Sequence, residues 1–164
     1  MSRTRLISAS AALLLVAACA PTLGPPPPPP PGADGPPSAN TFRAGDFSWS
    51  AVPGQGRVDG RLVFKSGQTR YSCEGAGVVL TPETPWTRRR MTILYKSPDR
   101  SALPADEVRA RTPNAPSGDY SAFVKRTVCD AGSRFSFSSL ANGAWYVITV
   151  AKPIAPGTGP DIAV

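Results

Sequence analysis

Along residues 57–152, hydrophobic and polar positions alternate in short runs separated by glycine, proline, asparagine and aspartate. In RVDGRLVFKS (Arg57 to Ser66), Val58, Leu62 and Phe64 fall on one face and Asp59, Arg61 and Lys65 on the other, which predicts a half-buried strand. Gly67-Gln68 turns the chain, and TRYSC (Thr69 to Cys73) returns as the second strand of a hairpin. GVVLTP (Gly77 to Pro82) is a short apolar strand stopped by proline. RRRMTILYK (Arg88 to Lys96) also alternates, with Met91, Ile93 and Tyr95 on one side, and reads as a further strand. SAFVKRTVC (Ser121 to Cys129), RFSFSSL (Arg134 to Leu140) and AWYVITVAK (Ala144 to Lys152) complete the set. Asn142-Gly143 predicts a hairpin turn between the last two. From Ser97 to Asp119 the alternation fails, and Pro98, Pro104, Pro113 and Pro116 interrupt the chain. Only LPADEVRAR there suggests helical turns, with Pro104 at the start and Asp106 and Glu107 in the first turn. Seven short strands over residues 41–154 predict an all-β domain of sandwich type, with residues 155–164 left as a flexible tail.

The N-terminal pattern is different in kind. Arg3 and Arg5 precede an unbroken apolar run from Leu6 to Ala18. That run is shorter than the about 20 residues a membrane-spanning helix needs, and it has the form of an export signal. It ends on Val16-Ala17-Ala18-Cys19, which resembles the lipobox of bacterial lipoproteins, with Val16 where leucine is usual. The resemblance implies cleavage before Cys19 and acylation of that cysteine. Ala20, where lipoproteins kept at the inner membrane often carry aspartate, favours the outer membrane, facing the periplasm or the cell surface. An ordinary secretory signal with an incidental cysteine is the alternative. Two or three acyl chains anchor stably where one is marginal. Pro25 to Pro31 then predicts a polyproline II stand-off roughly 20 Å long. Residues 1–18 thus read as the signal peptide and 19–40 as a lipidated, proline-rich linker.

Once Cys19 is assigned to lipid, Cys73 and Cys129 remain. In an oxidising compartment they read as a disulfide; two separate buried thiols are the alternative. Two cysteines without histidine do not make a zinc set, and no cofactor is implied.

Charge and composition narrow the function. The chain has no histidine, which removes Ser-His-Asp and Cys-His catalysis and a histidine base. Asp106 and Glu107 are neighbours, not the opposed carboxylates that acid–base hydrolysis needs. Net charge is +7, a balance that attracts acidic polymers or simply keeps the surface soluble. Trp86, Arg88, Arg89 and Arg90 are the candidate anion- or polymer-binding residues, since arginine forks suit phosphate and carboxylate. Trp86 is the aromatic most expected at the surface. Trp145 is expected in the core and Trp49 over the sandwich end. Lys125 is expected on a solvent-facing or partly covered strand face.

Two segments are similar to the carboxypeptidase regulatory-like, or transthyretin-like, β-sandwich domains. CDAGSRFSFSSLANGAWYVITV (Cys129 to Val150) carries Asp130, Gly132, Phe135, Phe137, Leu140, Gly143 and Tyr146 in that family's pattern, with Ala141 where proline is common. GRLVFKSGQTRYSCEGAGVVLTP (Gly60 to Pro82) resembles its opening strands. The resemblance implies a seven-stranded transthyretin-like sandwich and a non-catalytic accessory role. The expected function is therefore a lipid-anchored envelope protein that binds or scaffolds. Acyl chains on Cys19 link it to the membrane, its partner is an envelope protein or polymer, and no nucleic acid is involved. A subunit of an envelope export or adhesion complex, or a hydrolase using the 97–119 loop, are the alternatives.

Overall fold

The computed structural model of the protein describes residues 37–164. The expected signal peptide, Cys19 and the Pro25–Pro31 tract lie outside the described residues. The strands in chain order are β1 (Gly56–Arg61), β2 (Phe64–Ser66), β3 (Thr69–Ser72), β4 (Gly77–Pro82), β5 (Leu103–Pro104), β6 (Lys125–Val128), β7 (Arg134–Leu140), β8 (Trp145–Pro153) and β9 (Ile162–Ala163). The helices are α1 (Pro85–Tyr95) and α2 (Ala105–Ala110), with short 3₁₀ segments elsewhere. The fold is mostly β, with helices where an all-β chain is predicted.

β1 and β7 form a small antiparallel sheet. The larger sheet runs β2-β3-β8-β4-β6, with β9 added on β8 and β5 on β9. Neither sheet is closed. Val78 and Leu80 of β4 meet Phe137 and Leu140 of β7 in the core between them. Each such side chain contributes about 1.5–3 kcal/mol on leaving water. The cysteines lie in the same core as a Cys73–Cys129 disulfide with Cα atoms 5.7 Å apart.

Alternation correctly places the residues of the first hairpin but not its extent. The run 57–66 is two strands, because the chain leaves the small sheet after Arg61 and crosses through Leu62 and Val63 to the larger one. Gly67 opens the two-residue loop between β2 and β3 with a φ of 56°, a conformation glycine adopts without a steric penalty. The predicted hairpin at Asn142-Gly143 is likewise a crossover, since β7 and β8 belong to different sheets. Gly143 is needed there for a close approach: a Cβ on it would overlap the ring of Trp49. Trp49 itself stacks edge-on against Trp145 at 5.2 Å, over the core.

Of the segment 88–96, predicted as a strand, residues 88–95 lie in α1 and Lys96 is its C-cap. Thr84 caps it: its hydroxyl accepts from the Thr87 N–H at 3.1 Å, while Thr87 Oγ1 accepts from the Thr84 N–H at 2.7 Å. Pro85 fills the first turn, where its missing N–H costs nothing. The buried face is Trp86, Thr87, Met91 and Leu94, a helical spacing. Leu94 packs with Val108 of α2, Ala115 and Ala163 of β9 in a second cluster. The helical turns expected after Pro104 are present as α2, with Asp106 and Glu107 in its first turn. Residues 155–164, which the pattern leaves as a flexible tail, contain β9, and Ile162 and Ala163 are buried. Their backbone pairs with Ala151 and Val150 of β8, so the chain end closes the second cluster.

Candidate functional site

The expected site around Trp86 does not assemble as an exposed patch. Trp86 is 0 % exposed. It lies among Phe42, Phe47 and Tyr120, with ring centroids 5.4, 6.0 and 5.1 Å away. The three arginines leave the helix about 100° apart. Arg88 turns to Glu83 and Asp99, at 2.7 and 3.2 Å. Arg89 stands exposed. Arg90 folds back over the rings of Trp86 and Tyr120, 5.8 and 5.7 Å from their centroids, and donates to the Pro116 carbonyl at 2.8 Å. Arg90 thus helps hold the 113–120 loop on the helix, where cation–ring contacts contribute about 0.5–2 kcal/mol. Lys125 is half-buried on β6. Glu107 pairs with Lys96 and Arg111, at 2.6 and 2.9 Å.

Another group of side chains does come together. At one end of the domain, the β1–β2 corner, β3, the end of β8 and the turn after Cys129 enclose an open groove of about 550 Å³. Its floor is a pair of rings, Phe64 on Tyr71 with centroids 5.1 Å apart, and Tyr71 is only 6 % exposed. Val63 and Ile154 line it with exposed apolar surface, 83 % and 59 % accessible. Arg61, Arg70 and Lys152 contribute the charge, against one acid, Glu74.

The strand register concentrates this charge. Arg61 stands directly opposite Arg134, and Lys65 directly opposite Arg70. Like charges facing across strands are unfavourable. Among the described residues, neither these four cations nor Lys152 has a side-chain ion pair or hydrogen bond. Asp130 forms no ion pair with them; its Oδ1 accepts from the N–H groups of Gly132 at 2.8 Å and Arg134 at 2.9 Å.

One wall of the groove is held rigidly. Ser133 takes a φ of 58°, and its carbonyl accepts from the Leu62 N–H at 2.9 Å. Its hydroxyl meets that of Ser72 and accepts from the Cys73 N–H. The disulfide ties the same two chain segments together. A groove fixed before its ligand arrives loses less entropy on binding. Its lining offers cations, apolar stems and hydroxyls already bonded to one another. This is equipment for holding an anion. The sequence carries the signal in RLVFKSGQTRY, where the charged positions Arg61, Lys65 and Arg70 are all basic, but alternation alone does not reveal that they flank a groove.

No protein-family model and no curated protein matches the chain. Among solved structures, the chain is similar to the crystal structure of a putative carbohydrate binding protein from Pseudomonas aeruginosa. The two share 21 % identity and superpose with a TM-score of 0.55, over 77 % of this chain and 84 % of that one. At that identity the likeness is one of fold.

Proposed function

We propose that this chain is a lipid-anchored envelope protein whose β-rich domain binds a polymer of the envelope and has no catalytic centre of its own. The groove at the β1–β2 corner carries the reading, because it gathers unpaired cations beside exposed apolar surface in a preformed wall. The fold it shares with a putative carbohydrate binding protein makes a sugar polymer the ligand class of choice. The packing of Phe135, Phe137 and Leu140 between two sheets supports a transthyretin-like sandwich elaborated by α1, α2 and their loops. In this reading Cys19 carries the acyl chains at the outer membrane. Pro25 to Pro31 then hold the domain off the headgroups.

Two measurements test it. Growth on radioactive palmitate is expected to label the wild-type chain and not Cys19→Ser; an unlabelled wild type would remove the anchor. The full chain crosslinked in intact cells is expected to retain an envelope polymer at its original length. Shortening of that polymer by the purified chain would establish an enzyme instead.

A further inference from the structure

The ligand of the groove can be narrowed by charge, on the premise that the domain binds a polymer there. We infer that it is an acidic sugar chain, one bearing carboxylate or phosphate groups, seated along Arg61, Arg70 and Lys152.

The first ground is the arrangement of like charges. Arg61 faces Arg134 and Lys65 faces Arg70 in strand register, and no carboxylate among the described residues forms an ion pair with them, Glu74 being the one acid in the groove lining. Elsewhere the domain pairs its cations when they approach acids, as with Arg57–Asp59, Arg88–Glu83 and Lys96–Glu107. Repeated like-charge pairs cost stability in the free protein and are relieved by a polyanion. A neutral sugar relieves nothing.

The second ground is shape. The groove is concave and open, so a chain can lie in it against the exposed Arg61, Arg70 and Lys152 and continue beyond it. Val63 and Ile154 supply apolar contact suited to the C–H faces of sugar rings.

The third ground separates a sugar chain from single-stranded nucleic acid. Nucleic-acid grooves present free aromatic faces for bases to stack on. Here Tyr71 is 6 % exposed, and the half-buried ring of Phe64 is packed against it with centroids 5.1 Å apart.

The test uses the full chain carrying Cys19→Ser, so that acyl chains add nothing. Calorimetric titrations compare polygalacturonate with its methyl ester, and phosphorylated dextran with plain dextran. Binding is expected to one or both acidic polymers, to weaken with added salt, and to be lost with the neutral forms; which acidic polymer binds identifies the acid. Arg61→Gln with Arg70→Gln is expected to weaken binding about tenfold or more. Arg100→Gln with Arg109→Gln removes the same charge from exposed positions away from the groove and is expected to change it little. Urea midpoints check that both doubles are folded. Equal binding of acidic and neutral polymers would overturn the acidic ligand while leaving polymer binding intact. Binding to no polymer would overturn both. Equal losses in the two doubles would overturn the groove as the seat. Tighter binding to phosphatidylglycerol vesicles than to any polymer would overturn the sugar in favour of a membrane surface.

Discussion

The hydroxyl oxygens of Ser72 and Ser133, 61 positions apart in the chain, lie 2.9 Å from each other, and Ser133 Oγ also accepts from the Cys73 N–H at 3.3 Å. Through this one oxygen the end of β3 and the turn before β7 share a hydrogen-bond network. The groove wall depends on that network, because Ser133 also fixes Leu62 through its carbonyl.

Among the described residues, Ser133 Oγ is the one acceptor for the buried Cys73 N–H, and Ser133→Ala removes it. An unsatisfied buried group costs about 1–3 kcal/mol, so the urea midpoint is expected to fall by that equivalent at an unchanged slope. The alanine keeps the φ of 58° and so isolates the hydroxyl. A midpoint equal to wild type would show that the oxygen contributes nothing.

Trp86 is a packing residue. Trp86→Ala is expected to cost about 3–5 kcal/mol, and Trp86→Phe less, because Phe42, Phe47 and Tyr120 still meet a ring. Denaturant unfolding measures both. Binding of acidic polymer by the folded Phe variant is expected to match wild type.

Glu107 ties the end of α1 to α2. The Lys96 ammonium beside it, and then the Arg111 guanidinium, hold its carboxyl below the usual carboxylate range. A lowered pKa in the folded protein contributes stability that is fully present above the ordinary value of about 4.3 and is lost as pH falls through the folded value. The stability gap between wild type and Glu107→Gln is therefore expected at neutral pH and should close at acid pH. The pairs are partly exposed, so the gap is small and salt should shrink it. A gap that stays constant down to low pH would show packing, not charge.

The sequence made β1 to β4 and β6 to β8 legible because their inward positions alternate. Val58, Leu80 and Phe137 all pack in the core between the sheets. Alternation does not say which sheet a strand joins, and so Leu62–Val63 and Asn142-Gly143 read as continuous strand and hairpin where both are crossings. The helix α1 was masked by a coincidence: Met91, Ile93 and Tyr95 alternate like a strand. Its real buried set includes Thr87, a polar residue whose hydroxyl donates to the Pro82 carbonyl at 2.8 Å. The start signal was nonetheless present, as threonine, proline and a second threonine at Thr84, Pro85 and Thr87. β5 and β9 are two residues each, too short for any period, and exist only through pairing with β8 and each other. The candidate groove was least legible. It joins residues from positions 61 to 154, and only their shared positive charge could be read along the chain.

The Cys73–Cys129 link has a consequence for when the domain becomes rigid. Reduced, the chain would lose the bond that holds the turn of residues 130–133 beside β3, and with it about 4 kcal/mol of loop restriction over 56 positions. The hydrogen bonds of Ser133 would remain, so a reduced copy would keep the groove's lining on a wall less firmly held. On the proposal that the chain is exported, forming this bond would be the step of maturation that hardens the domain.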